Sequence, residues 1–173
     1  MRGRILLFLC LLFAFNACQR RSIDTNTPNS YLRHVGDTTF DPKLDDPNFK
    51  LCNEHKAQQY YNFDKGLMYK GEKPALLAHF NKGFKPPKKS TETGFVTIRF
   101  IVNCEGKTGW FRVLGIDNAY QPKKFSAALV DQLLLLTKQL NGWLVGDYNG
   151  KVYDYYQYLT FKIQNGQLVE ILP

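Results

Sequence analysis

Gly94-Phe95-Val96-Thr97-Ile98-Arg99-Phe100-Ile101-Val102-Asn103 is the stretch that decides the fold class. Val96, Ile98, Phe100 and Val102 alternate with Phe95, Thr97, Arg99 and Ile101. A period of two puts the first set on one face of a β-strand. Cys104 continues the parity of Val102 and is expected to point toward the core. Glu105-Gly106-Lys107 supplies a turn, and Trp110 to Ile116 reads as the returning strand of a hairpin.

Outward from this hairpin, the period changes to that of a helix. On the amino side, Pro74 to Phe84 carries Leu76, Leu77 and Phe80 at helical spacing, with Pro74 suited to a first turn and Pro86-Pro87 as the stop. On the carboxyl side, Pro122 to Leu140 carries Phe125, Leu129, Leu133, Leu136 and Leu140 as one apolar stripe, and Asn141-Gly142 closes it. Tyr153 to Gln164 and Gln167 to Leu172 are strand candidates around Asn165-Gly166, a dipeptide that favours two-residue hairpins. The expected fold is α+β over residues 49–173: a small antiparallel sheet with helices on one face, in the order α-β-β-α-β-β. Cys52 to Tyr61 is expected to be a short helix or an ordered arm.

The amino end speaks to compartment. Arg2 and Arg4 precede an uncharged run from Ile5 to Phe15, too short for a bilayer core, which needs about 20 apolar residues. It has the length of a signal-peptide apolar region. Phe15-Asn16-Ala17-Cys18 follows and resembles the bacterial lipobox: Ala17 and Cys18 match, while Phe15 and Asn16 depart from the commonest residues. That resemblance implies removal of residues 1–17 and acylation of Cys18. Two or more acyl chains anchor a protein stably where one does not. Gln19-Arg20-Arg21 lacks the acidic run that surface-exported lipoproteins carry, so an outer-membrane position facing the periplasm is expected. Residues 18–48 are polar and carry Pro28, Pro42 and Pro47, a composition expected of a flexible tether.

With 13 Phe and 10 Tyr in 173 residues, the chain can build a core. Its net charge of +8 permits contact with anionic lipid, glycan or nucleic acid and identifies none of them. No nucleic-acid partner and no cofactor is expected. Of the four cysteines, Cys10 lies inside the signal and Cys18 takes the lipid. Cys52 and Cys104 remain, either as a bridge or as two buried free thiols. An exporting signal favours the bridge, which would close a loop of roughly 50 residues.

Residues from about 67 to 164 resemble the carboxy-terminal domain of TonB, in a variant common in Bacteroidetes-like proteins. The residues that carry the likeness are Tyr69-Lys70-Gly71-Glu72-Lys73-Pro74-Ala75-Leu76, then Phe80, Phe84 and Pro86. They continue through Gly94 to Asn103 and Gly106, then Trp143, Gly146, Asn149 and Gly150, and Tyr158 to Ile163. The resemblance implies a periplasmic binding module, not an enzyme, that grips an extended peptide by strand addition. The departures matter too. TonB has a spanning helix and a long proline-rich linker, so a lipid-type signal and a short mixed tether argue against energy transduction. Trp143-Leu144-Val145-Gly146 stands where the family has Trp-x-Pro-Gly, and the final Asn-Gly hairpin looks like an addition.

Two surfaces stand out as candidates. Tyr156, Tyr158 and Lys162 share a parity opposite to Tyr155 and Leu159, and are expected to form an exposed aromatic strip for a partner; the bland alternative is cross-strand packing. Lys82, Lys85, Lys88 and Lys89 form a basic stretch that could meet headgroups or an acidic partner, or could be a solvated loop. Catalysis has no motif behind it. His34, His55 and His79 lie in tether or amphipathic sequence without ligand or triad spacing. The expected function is a membrane-tethered module for an envelope protein or peptide. The alternative is a structural lipoprotein that holds peptidoglycan or another glycan through its basic face.

Overall fold

The computed structural model describes residues 38–53, 57–63 and 65–172. Over these residues the fold is α+β, with a mostly antiparallel sheet and two α-helices. The elements are β1 (Gln58–Gln59), a 3-10 turn (Tyr60–Phe63), α1 (Glu72–Gly83), β2 (Gly94–Val102), β3 (Thr108–Ile116) and α2 (Ala127–Lys138). Then come β4 (Gly146–Tyr148), β5 (Lys151–Tyr153), β6 (Tyr155–Gln164) and β7 (Gln167–Leu172).

β2 is the centre of the sheet. It pairs antiparallel with β3 on one side and with β6 on the other. The far flank of β6 is shared: β1 runs parallel to its start and β7 antiparallel to its end. The alternation in β2 explains the layering. Val96, Ile98, Phe100 and Val102 are fully buried. In register with them on β6 stand Phe161, Leu159, Gln157 and Tyr155. Leu76 and Phe80 of α1, and Leu129, Leu133 and Leu136 of α2, join the same core, so both helices cover this face. Phe80 meets Phe161 with ring centroids 4.8 Å apart. Gln157 is a polar residue in the row, and its Nε2 donates to the Tyr158 carbonyl.

All five stripe residues of the second expected helix are buried, yet the helix is shorter than Pro122 to Leu140. The cause is a competing backbone bond. Lys123 N–H donates to the Gly115 carbonyl and Pro122 bridges to Ile116, which holds residues 122–125 extended along β3. A Cβ on Gly115 would collide with the Lys123 carbonyl, so only glycine permits this approach. The expected strand from Tyr153 to Gln164 is interrupted. Lys151–Tyr153 instead pairs with Gly146–Tyr148 around Asn149-Gly150. Both residues there have positive φ, 53° and 73°, and Asn165-Gly166 repeats the geometry at 49° and 74°.

The largest departure from expectation is the segment just before Phe49. The tether was expected to run through residue 48, yet residues 38–53 lie on the helix-free face of the sheet. Asp45 is buried there against Arg112. Composition argued for a mobile chain because apolar residues are few. Ion pairing and a disulfide supply what burial does not.

Candidate functional site

The helix-free face is a grid of cross-strand rows. Lys162, Phe95 and Ile116 form one row; Thr160, Thr97 and Leu114 the next; Tyr158, Arg99 and Arg112 the third; Tyr156, Ile101 and Gly109 the fourth. The arm of residues 38–53 closes the third and fourth rows. Arg112 Nη1 and Nη2 each donate to one Asp45 carboxylate oxygen at 2.7 Å, a bidentate fork, and Nη2 also donates to the Thr39 carbonyl. Burial alone would raise the Asp45 carboxyl; the Arg112 guanidinium and the Asp41 N–H outweigh it and hold the group below the ordinary 3.8. Phe40 tilts over Trp110, centroids 6.0 Å apart. Phe49 lies where a Cβ on Gly109 would stand. Trp110 takes φ of 53° at the irregularity between β2 and β3, the extra residue of a β-bulge.

The arm ends in a covalent clamp. Cys52 and Cys104 form a disulfide, with Cα atoms 6.0 Å apart across a sequence separation of 52. Beside it Asp154 is fully buried. One of its oxygens accepts the N–H groups of Cys52 and Asn53 at 2.8 and 2.7 Å, and the other accepts that of Cys104 at 3.0 Å. Three backbone donors offset the desolvation of this charge. The two sulfurs and an Asp154 oxygen lie within 4.8 Å of one another. The disulfide uses both sulfurs, so this cluster is a joint in the fold. The parity expectation for Cys104 meets a finer result: its side chain is half-buried and reaches the arm rather than the core.

The expected aromatic strip is not an exposed strip. Tyr156 is buried, its hydroxyl accepting the Thr38 N–H and its ring facing Arg99 at 5.9 Å. Tyr158 is half-buried and donates to Gln59 Oε1 at 2.9 Å. Burial pushes its phenol up, opposed by the nearby Arg99 charge. Lys162 is exposed. Parity assigned these side chains to the correct face, but parity is silent about what covers a face. The first and second rows, beyond residues 38–53, instead present Leu114, 60% exposed, and Phe95, with Tyr120 stacked on it at 6.4 Å. Lys82, Lys85, Lys88 and Lys89 are all exposed around the end of α1 and the loop after it, and none is in an ion pair among the described residues.

β3 forms one border of the sheet. Its Gly115 carbonyl faces away from β2, toward Lys123, and the two-residue period turns the backbone of Val113 the same way. Among the described residues no strand pairs with that side of Val113. Next to this edge is an open bay of about 550 Å³ between β3 and the start of α2. Val96, Val113, Phe125 and Val130 give it an apolar lining, and Lys123, Lys124 and Asp131 give it charge. Lys123 is already engaged, donating to the Thr93 carbonyl at 2.7 Å. Sequence reading missed both edge and bay, because neither has a local pattern.

Neither a protein-family model, nor a curated protein, nor a solved structure matches the chain. His79 hydrogen-bonds the Leu136 carbonyl at 2.9 Å and helps join the two helices. Residues 1–17, Cys18, His34 and His55 lie outside the described residues. Among the described residues no helix is long and apolar enough to cross a membrane.

Proposed function

We propose that this chain is a lipid-anchored envelope protein whose TonB-like domain binds a protein or peptide partner by strand addition, without energy transduction. The observation that carries the reading is the outer edge of β3 at Val113, which no strand pairs with among the described residues, beside an apolar bay. An extended peptide laid there would satisfy the open backbone groups of Val113 and direct alternate side chains toward the bay. The sequence likeness to TonB supports the same mode, and the helix, hairpin and helix that open the domain agree with it, although the β4–β5 hairpin then precedes the last one. Anchoring at Cys18, in an outer membrane facing the periplasm, is supported by the lipobox-like amino end.

The test places a photoreactive residue at Leu114, which is exposed on the same strand, and identifies crosslinked species from cells by mass spectrometry. A discrete partner is expected. Val113→Pro removes the outward N–H while sparing the β2 ladder, and proline is tolerated on edge strands. Capture should fall at least about tenfold if that hydrogen bond and its neighbour are the grip. Undiminished capture by a folded Val113→Pro chain would sink strand addition. The same spectra report whether Cys18 carries acyl chains. The unpaired lysines at 82, 85, 88 and 89 favour a second reading, retention on peptidoglycan. It expects sedimentation with purified sacculi that weakens as salt rises.

A further inference from the structure

Arg99 and Arg112 stand in register on neighbouring strands of the helix-free face. They have opposite fates. Arg112 is forked onto Asp45. Arg99, only 8% exposed, is met by two hydroxyls and a ring: its Nη2 donates to Thr38 Oγ1 at 2.6 Å, the Tyr158 phenol oxygen is within its reach, and Tyr156 lies beneath it. Its Nε is buried without a hydrogen-bond partner, and among the described residues no carboxylate pairs with the guanidinium. Trp110 Nε1, Trp143 Nε1 and Gln157 Oε1 are also buried and unpartnered, but those groups are neutral. A buried cation without an anion is costly, and proteins pair such groups as a rule.

Hydroxyl groups surround Arg99. Tyr158 is its register partner on β6, and the Thr97 and Thr160 hydroxyls, 2.9 Å apart, form the next row. Lys162 lies one row further, with Glu170 opposite it on β7 as the carboxylate of that border. Arg99 thus lies beside Thr38, next to the row formed by Thr97 and Thr160. A planar guanidinium with a free Nε matches a carboxylate, whose two oxygens can take parallel N–H bonds.

We propose that Arg99 anchors a carboxylate-binding site on the helix-free face, filled by an acidic side chain or chain terminus of a bound peptide. The peptide as carrier rests on the partner-binding reading above; the site itself does not.

Nitrogen-15 NMR of the full chain in detergent micelles tests it directly, because arginine Nε–H resonances are resolved and Arg99→Lys identifies the signal. N-acetylglycine serves as the terminus probe, N-acetylglutamate α-amide as the side-chain probe, and N-acetylglycinamide as the neutral control. One or both carboxylates should move the Arg99 Nε–H saturably while the Arg112 signal stays still. Arg99→Lys, which keeps the charge and loses the fork, should weaken the response of the Thr97 and Thr160 amides about tenfold. No saturable shift, or an equal shift with the neutral control, overturns the proposal. So does an Nε shift in Asp24→Asn or Asp37→Asn without probe, which would mean that the amino-terminal segment already fills the site. Probe binding without any cellular partner would leave the site standing and count against the partner reading alone.

Discussion

The two faces of this sheet are closed by different physics. On one, Val96, Ile98, Phe100 and Val102 meet two helices through carbon, with every one of these side chains fully buried. On the other, Arg99 and Arg112 meet an arm held by one ion pair, a few hydroxyl bonds and one disulfide. The first closure scales with buried area and has no single point of failure. The second is a short set of separate contacts, each with its own chemical trigger. A reductant, acid or one substitution can address the arm and leave the helix face untouched.

Breaking the helix face should have the largest effect. Phe80→Ala removes a fully buried ring packed on Phe161 and should cost about 3–5 kcal/mol in denaturant unfolding. A loss under about 1 kcal/mol would mean that this layer is much looser than its burial implies. Replacing Cys52 and Cys104 together by Ser should cost about 2–4 kcal/mol, chiefly by freeing the unfolded chain. Hydrogen exchange should then rise in residues 38–53 before it rises in β2; simultaneous loss would show that the faces are not separable.

The smallest effect concerns acid. The Asp45 carboxyl is held below its ordinary 3.8 in the folded chain, so it contributes stability above that value and loses it as pH falls through the depressed one. Glu92 behaves alike: burial would raise it, but bonds from Ser126 and Ser90 hold it below 4.5. Stability should be level down to about pH 5 and fall below it. Asp45→Asn should cost about 1–3 kcal/mol at neutral pH and flatten part of that acid limb. An unchanged acid limb would remove the ion pair from the account of how the arm is held.

The same contrast decides what could be read from the sequence. The helix face was legible because burial leaves a period: the alternation from Val96 to Val102 and the stripe from Phe125 to Leu140 both proved to be core. Even there the ends of α2 were obscured, since a backbone bond from Lys123 to Gly115 has no side-chain signature. The arm face was illegible because its contacts join residues far apart in sequence. Nothing near Asp45 announces Arg112, and Arg99 looks like any polar residue on the outer side of a strand. The β4–β5 hairpin was a different omission. Asn149-Gly150 carries the same dipeptide signal as Asn165-Gly166, but its flanking strands are three residues each, too short to show alternation. The candidate edge at Val113 could not be read at all, because an edge is defined by the absence of a neighbour.

Asp154 has a consequence for how the chain matures. Its three backbone bonds reach residues 52, 53 and 104 without using either sulfur. The carboxylate therefore acts as a jig. It can align the two thiols before any oxidant arrives, and it favours Cys104 as the mate of Cys52 over the other cysteines of the chain. Correct pairing is thereby written into a residue that is not itself a cysteine.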